Sequence, residues 1–104
     1  PLALCDPGSV AAGEVIETAI TGIAPEGRVS HHLSLRLGAG HLWYHYPGMT
    51  GDELLAFKLF ECWKGAEPRL TSVFHSAFRD PDAPADAEAR QSCEHRVGVM
   101  VLRD

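Results

Sequence analysis

Between Arg28 and Leu37 the chain alternates without interruption. Val29, His31, Leu33, Leu35 and Leu37 fall on one side, and Arg28, Ser30, His32, Ser34 and Arg36 on the other. A period of two belongs to an extended strand, because successive side chains of a pleated backbone point to opposite faces. One face is thereby marked for burial and the other for solvent. The same period returns near the end, where Cys93, Val97, Val99 and Val101 share a face and Arg90, Ser92, Glu94 and Arg96 occupy the other, predicting a last strand over 92–102. Shorter runs at Leu2 to Cys5, Val15 to Ile20 and Leu70 to Phe78 read as further strands, and Asp6-Pro7-Gly8, Gly22 and Pro25 supply breaks between the early ones.

After the break at Gly38-Ala39-Gly40, the run HLWYHYP reads as an aromatic strand ended by Pro47-Gly48, and its proximity to 28–37 predicts a hairpin between the two. Thr50-Gly51-Asp52-Glu53 then has the form of a capping box, in which a hydroxyl and a carboxylate satisfy amide donors at a helix start. Leu54, Leu55, Phe57, Leu59 and Phe60 follow, and Gly65 and Pro68 close the segment, so one helix is expected near 51–63. Residues 79–89 read as an acidic loop rich in Pro and Ala. The fold class is mostly β (α+β) with one helix, and no internal repeat is visible.

A chain of 104 residues that is 45% hydrophobic can form one small domain, with a modest core. Its 14 acidic against 9 basic side chains leave a formal charge of -5, with no Lys/Arg cluster, which excludes the clustered cations that phosphate neutralisation requires. Nucleic acid is therefore not an expected partner. No apolar run reaches the length of a membrane span, and the first residues lack a basic start and apolar core, so a cytoplasmic protein is expected. Three cysteines, Cys5, Cys62 and Cys93, show no C-x-x-C spacing and read as reduced thiols. Strand-like sequence begins directly at Pro1 and runs almost to Asp104, as expected of a piece of a longer chain.

Alternation along 70–78 sets Phe74 and Phe78 on the core side and leaves His75 among small residues on the opposite face, with room in front of the imidazole for a ligand. A satisfied, partly buried histidine accounts for the same pattern. The row Arg90, Ser92, Glu94 and Arg96 has two readings as well. One is a solvated face with a weak Arg96-Glu94 ion pair; the other is an anion site in which a guanidinium grips a carboxylate bidentately and Ser92 adds a hydrogen bond. Trp43, Tyr44 and Tyr46 can line a pocket, and a hairpin packed on the core explains the cluster equally.

Other histidines carry less. His31 and His32 point to opposite faces, His41 and His45 share one, and His95 points with the valines; no H-x-D, H-x-E or H-x-H triplet occurs. A local metal site from His75, Glu94 and one histidine of the 41–45 run is a further alternative. Nucleotide-binding glycine loops, G-x-S-x-G elbows and Cys/His nucleophile patterns are missing from the sequence.

Taken in order, PLALCD, HLWYHYPGMTGDELLAFKLFE and HSAFRDPDAPADAEARQSCEHR resemble the C-terminal half of a bacterial and fungal oxidoreductase family. That family includes cephamycin methoxylation hydroxylase-like proteins, gibberellin desaturase-like proteins and a fungal meroterpenoid endoperoxide synthase. The resemblance spans nearly the whole chain. It implies a double-stranded β-helix (jelly-roll) portion and Fe(II), 2-oxoglutarate-dependent oxidation of a small-molecule substrate in secondary metabolism.

Carried over by position, His75 resembles the distal iron ligand. Arg90 and Ser92, fifteen positions on in an Arg-x-Ser arrangement, resemble the clamp on the distal carboxylate of 2-oxoglutarate, with Arg96 as the alternative clamp and Tyr44 as a further cofactor-binding residue. The family's Pro-Arg-Glu-Ser reads Ala89-Arg90-Gln91-Ser92 here, its next Ile is Cys93, and the stretch from Arg69 to His75 is spaced differently. The family's proximal His-x-Asp pair lies upstream of PLALCD. The expectation is thus a single domain over 1–104 that is the C-terminal part of a longer oxygenase, carrying one of three iron ligands. Its expected partners are the upstream segment or a second copy of the chain, and the competing reading is a non-catalytic jelly-roll binding domain.

Overall fold

The computed structural model describes residues 1–22, 27–61 and 72–102. Among the described residues five strands form in chain order: β1 (Leu2–Cys5), β2 (Val15–Ile20), β3 (Ser30–Leu35), β4 (Trp43–His45) and β5 (His75–Ala77), with two short 3-10 turns, Pro7–Ser9 and Ala12–Glu14, between β1 and β2. The protein is mostly β, in two antiparallel sheets. One sheet has the order β4-β1-β5, and the other pairs β2 with β3.

The strands predicted at 2–5 and 15–20 form as read, and the alternating 28–37 stretch yields β3. Its partner differs from the expected one: β3 pairs with β2, from Val15 opposite Leu35 to Ile20 opposite Ser30, whereas β4 pairs with β1. Two long-range bonds account for this. The Asp6 N–H donates to the Leu42 carbonyl at 2.8 Å, and the Leu42 N–H donates to the Ser9 hydroxyl at 3.0 Å. These draw the aromatic run to the N-terminal strand, so the hairpin between 28–37 and 41–46 does not form. The apolar face expected to be buried is left largely uncovered among the described residues, with Leu33 in β3 42% and Leu37 just beyond it 101% exposed.

The helix expected near 51–63 is not formed over 51–61; residues 62 and 63 lie outside the described set. Its capping contacts are nevertheless present, with the Glu53 carboxylate accepting from the Thr50 N–H at 2.7 Å and the Thr50 hydroxyl at 3.1 Å. A helix this short is marginal in water without a surface to cover its apolar face. Leu54 and Phe60 remain 91% and 70% exposed, so that surface is not supplied by the described residues. Before it, Pro47-Gly48 makes a turn in which Gly48 takes φ +65°, the left-handed conformation that a glycine tolerates without Cβ strain.

The strand predicted over 70–78 is shortened to β5, with 70 and 71 outside the described residues, and the strand predicted over 92–102 is irregular and exposed. Val97, Val99, Met100, Val101 and Leu102 all stand in solvent. Among the described residues only Ala3 and Cys5, on the central strand β1, are buried over the whole residue, backbone and side chain together. The radius of gyration, 16.6 Å, exceeds the roughly 13 Å of a compact domain of this length, as expected where most apolar side chains lie outside a shared core.

Candidate functional site

The three-stranded sheet fixes where His75 stands. Leu4 of β1 is opposite Tyr44 of β4 on one side and His75 of β5 on the other. Directly opposed residues of an antiparallel ladder project from the same face, so Tyr44, Leu4 and His75 form one row across it. With neighbouring strands about 4.8 Å apart, the Tyr44 and His75 backbones are separated by about 10 Å, with Leu4 between them. Ala3, His45 and Ser76 make the row on the opposite face, where Phe78 meets the His45 ring edge-on at 5.0 Å. Phe78 therefore lies on the side of the buried Ala3 and Cys5.

The imidazole of His75 has a defined setting. Its Nδ1 lies 3.2 Å from the Val73 carbonyl oxygen, a contact that only a protonated Nδ1 can make, because the carbonyl solely accepts. In the neutral ring Nε2 then carries the lone pair. The Phe57 ring packs against the imidazole with centroids 4.7 Å apart and planes tilted by 52°. Phe57 reaches this position because its segment is bonded alongside residues 72–73: the Val73 N–H donates to the Lys58 carbonyl at 2.9 Å, and the Ser72 hydroxyl donates to the Leu59 carbonyl.

Arg90, Ser92 and Arg96 lie in the exposed segment beyond β5. Arg96 Nε donates to Glu94 Oε1 at 3.2 Å, with side chains 75% and 64% exposed, and Cys93 Sγ lies 3.5 Å from His95 Nε2. No hydrogen bond or ion pair among the described residues links Arg90, Ser92 or Arg96 to β5. No group of three or more His, Cys, Asp or Glu residues suited to a metal ion is gathered among the described residues, and the His75-Glu94-histidine alternative is not assembled. The surface concavities at Phe78, Asp80 and Pro84 and at Tyr46, Met49 and Glu53 include none of His75, Arg90, Ser92, Arg96 and Tyr44, although Tyr46 of the aromatic cluster borders the second. Cys5 is a free buried thiol and Cys93 a free exposed one; Cys62 lies outside the described residues.

The most tightly organised polar group was not marked by the sequence reading. His41 Nε2 contacts Glu14 Oε2 at 3.0 Å, with the histidine side chain 2% exposed and the carboxylate 32%. The Ala11 N–H donates to the same carboxylate oxygen at 2.8 Å. That backbone bond first, and His41 second, hold the Glu14 carboxyl below its ordinary value of 4.5. Gly38 borders the pair so closely that a Cβ there would lie 2.5 Å from Glu14 Oε1 and 2.8 Å from His41 Nε2. The glycine in the 38–40 break was the available signal, and its reading as a simple strand interruption concealed a packing requirement. Glu53 is also held below 4.5, by the Thr50 N–H and then by the Tyr46 and Thr50 hydroxyls.

Comparison with known proteins adds to this geometry. Residues 1–100 match the model of a family described as an Oxidoreductase/YMDC permease-like domain. A protein from Penicillium oxalicum named "Hydroxylase/desaturase poxK" is 35% identical over 72 residues, covering 66% of this chain and 22% of that protein. The "Aspirochlorine biosynthesis protein N" of Aspergillus oryzae is 30% identical over 105 aligned residues, covering 96% of this chain and 41% of that protein. The chain thus spans less than half the length of these curated relatives. No solved structure matches it. Among the described residues no helix is long and apolar enough to cross a membrane.

Proposed function

The chain belongs to the Oxidoreductase/YMDC permease-like domain family, and from that premise we propose that it is part of an Fe(II)/2-oxoglutarate-dependent oxygenase of secondary metabolism acting on a small molecule. The names of the two fungal relatives, a hydroxylase/desaturase and a biosynthesis protein, support oxidation in a biosynthetic setting. The observation that carries the reading is the state of His75. The Val73 contact leaves its Nε2 as the lone-pair atom, and that nitrogen makes no hydrogen bond among the described residues.

His75 fits one position of a two-histidine, one-carboxylate iron site. In this reading the other two positions would be filled by the His-x-Asp pair that the family resemblance places upstream of PLALCD. Bound iron and keto acid supply the oxidising power for C–H chemistry, while the protein binds and orients. Arg90 and Ser92 would hold the distal carboxylate of the keto acid, with Arg96 as the alternative donor and Tyr44 bordering the pocket from β4. Arg90 suits this role because its guanidinium is not committed to an ion pair within the described residues.

Anaerobic titration with Fe(II) and 2-oxoglutarate tests the reading, followed by the charge-transfer absorption of the ternary complex. It requires this chain and a longer version carrying His-x-Asp. Absorption in the longer version, abolished by His75→Ala and weakened by Arg90→Ala, is the expected outcome. Absence of absorption from both would reject the iron site and leave a binding domain.

A further inference from the structure

The contact between Phe57 and His75 joins two parts of the sequence that otherwise have no reason to meet. Phe57 follows Thr50-Gly51-Asp52-Glu53, a stretch that reads as the opening of a helix, and its natural role there would be to bury an apolar helix face. Instead, the backbone over 57–59 runs beside 72–73, fastened by Val73 N–H to Lys58 O and by the Ser72 hydroxyl to Leu59 O. Phe57 is half-buried, unlike the exposed Leu54 and Phe60 around it. What its ring covers is the imidazole of His75, at a centroid distance within the range of favourable aromatic pairs.

An imidazole on an exposed strand rotates about its χ angles and, in water, favours the tautomer with the proton on Nε2. The His75 ring is held otherwise. The Phe57 ring packs against it, tilted by 52°, and the Val73 carbonyl accepts from Nδ1, so ring orientation and tautomer are restrained together. The two supports are also mutually dependent. Val73, whose carbonyl sets the proton, is the residue whose N–H anchors the Phe57 segment.

We propose that Phe57 is a positioning residue for His75: it holds the imidazole against the Val73 carbonyl in the Nδ1–H form and so keeps Nε2 available as a ligand atom. The proposal rests on the iron-site reading for its purpose. Its structural content is independent of any metal.

Long-range ¹H–¹⁵N correlation spectra of the imidazoles in the metal-free chain, recorded above the histidine titration range, test it directly. His75 should show a protonated Nδ1 and an unprotonated Nε2. Phe57→Ala should shift the ring toward the Nε2–H form, and Phe57→Tyr should restore the wild-type pattern, because it returns a ring to the same place. The imidazole signals of His41, packed against Glu14 far along the chain from this contact, report whether each variant keeps its fold. An Nε2–H tautomer in the wild type would overturn the proposal, as would a Phe57→Ala spectrum unchanged at His75.

A second measurement uses the longer version with Co(II) as the probe. Phe57→Ala should weaken binding by about 10-fold, the lower end of what losing an outer-shell partner costs, and Phe57→Tyr should restore it. Equal affinities of wild type and Phe57→Ala would overturn the positioning role. If His75→Ala itself left Co(II) binding unchanged while the tautomer shift was seen, the iron-site reading would fail and the Phe57 contact would stand.

Discussion

Two irregular stretches of this protein begin alike and end differently. The loop of residues 6–14 and the segment 79–102 both open on an Asp-Pro pair or its near equivalent, and both make the local turns that such sequences favour: Asp6 Oδ1 accepts from the Gly8 N–H at 2.9 Å, and Asp80 Oδ1 accepts from the Asp82 N–H at 3.0 Å. In the first, side chains also reach far along the chain. Ser9 accepts from the Leu42 N–H and Glu14 engages His41. In the second, the hydrogen bonds between described residues stay within a few positions, as in Ala87 N–H to Pro84 O and Arg96 to Glu94. Turn chemistry shapes a backbone locally, but only the distant partners fasten it to a sheet.

The largest effect expected from this contrast is in thiol chemistry. Cys5 is 1% exposed on β1, whereas Cys93 is in solvent. Labelling with a thiol reagent followed by peptide mapping should modify Cys93 at once and Cys5 only through opening of the sheet. The two rates should differ about tenfold for every 1.4 kcal/mol of opening free energy. Equal rates would erase the distinction between the regions.

A smaller effect is expected at Gly38. Gly38→Ala places a methyl against the pinned Glu14 carboxylate and the buried His41 ring, and should lower stability by roughly 1–3 kcal/mol in urea titration, the usual cost of overpacking. Gly98→Ala, at a position with nothing within 4 Å of the added carbon, serves as the comparison in the loose segment and should change little.

The smallest effect concerns acid. Glu14 has its folded pKa depressed below 4.5, so the folded state binds fewer protons than the unfolded state as acid is added. Its contribution is complete above the unfolded value and is lost as pH falls through the folded one. Glu14→Gln should therefore flatten the acid limb of the stability curve below about pH 4.5 and lower the plateau near neutrality, where the contribution of the carboxylate is complete. An unchanged acid limb would mean that the Ala11 and His41 contacts do not persist in solution.

How far the sequence discloses this fold depends on the length scale of each contact. β1, β2 and most of β3 follow from apolar runs and the breaks that bound them, which are local properties. The side of β5 that carries His75 was likewise readable, since a period of two needs only the neighbours of His75. Pairing was not: β4 looked like the partner of β3, and only the Asp6, Ser9 and Leu42 bonds, which no periodicity encodes, assign it to β1. The helix read at 51–63 and the strand read at 92–102 rest on local patterns alone, and neither forms over its described residues, where no surface completes the pattern. For the candidate site, the sequence indicated His75 and the Arg90 to Arg96 row. The contact with Phe57 depends on two backbone segments meeting, and sequence spacing gives no hint of it.

The order β4-β1-β5 has a bearing on how the protein is made. Its central strand is near the start of the chain, yet one of its two neighbours lies about seventy residues later, a pairing of high sequence separation that is slow to close. On a ribosome adding about 5–20 residues per second, Leu2 to Cys5 would wait roughly 4–14 s for β5 to be synthesised. During that interval one edge of β1 is open, and an apolar tetrapeptide with an open edge invites pairing with other nascent chains. The vulnerability to misassembly is thus concentrated in β1 and in the time before His75 emerges.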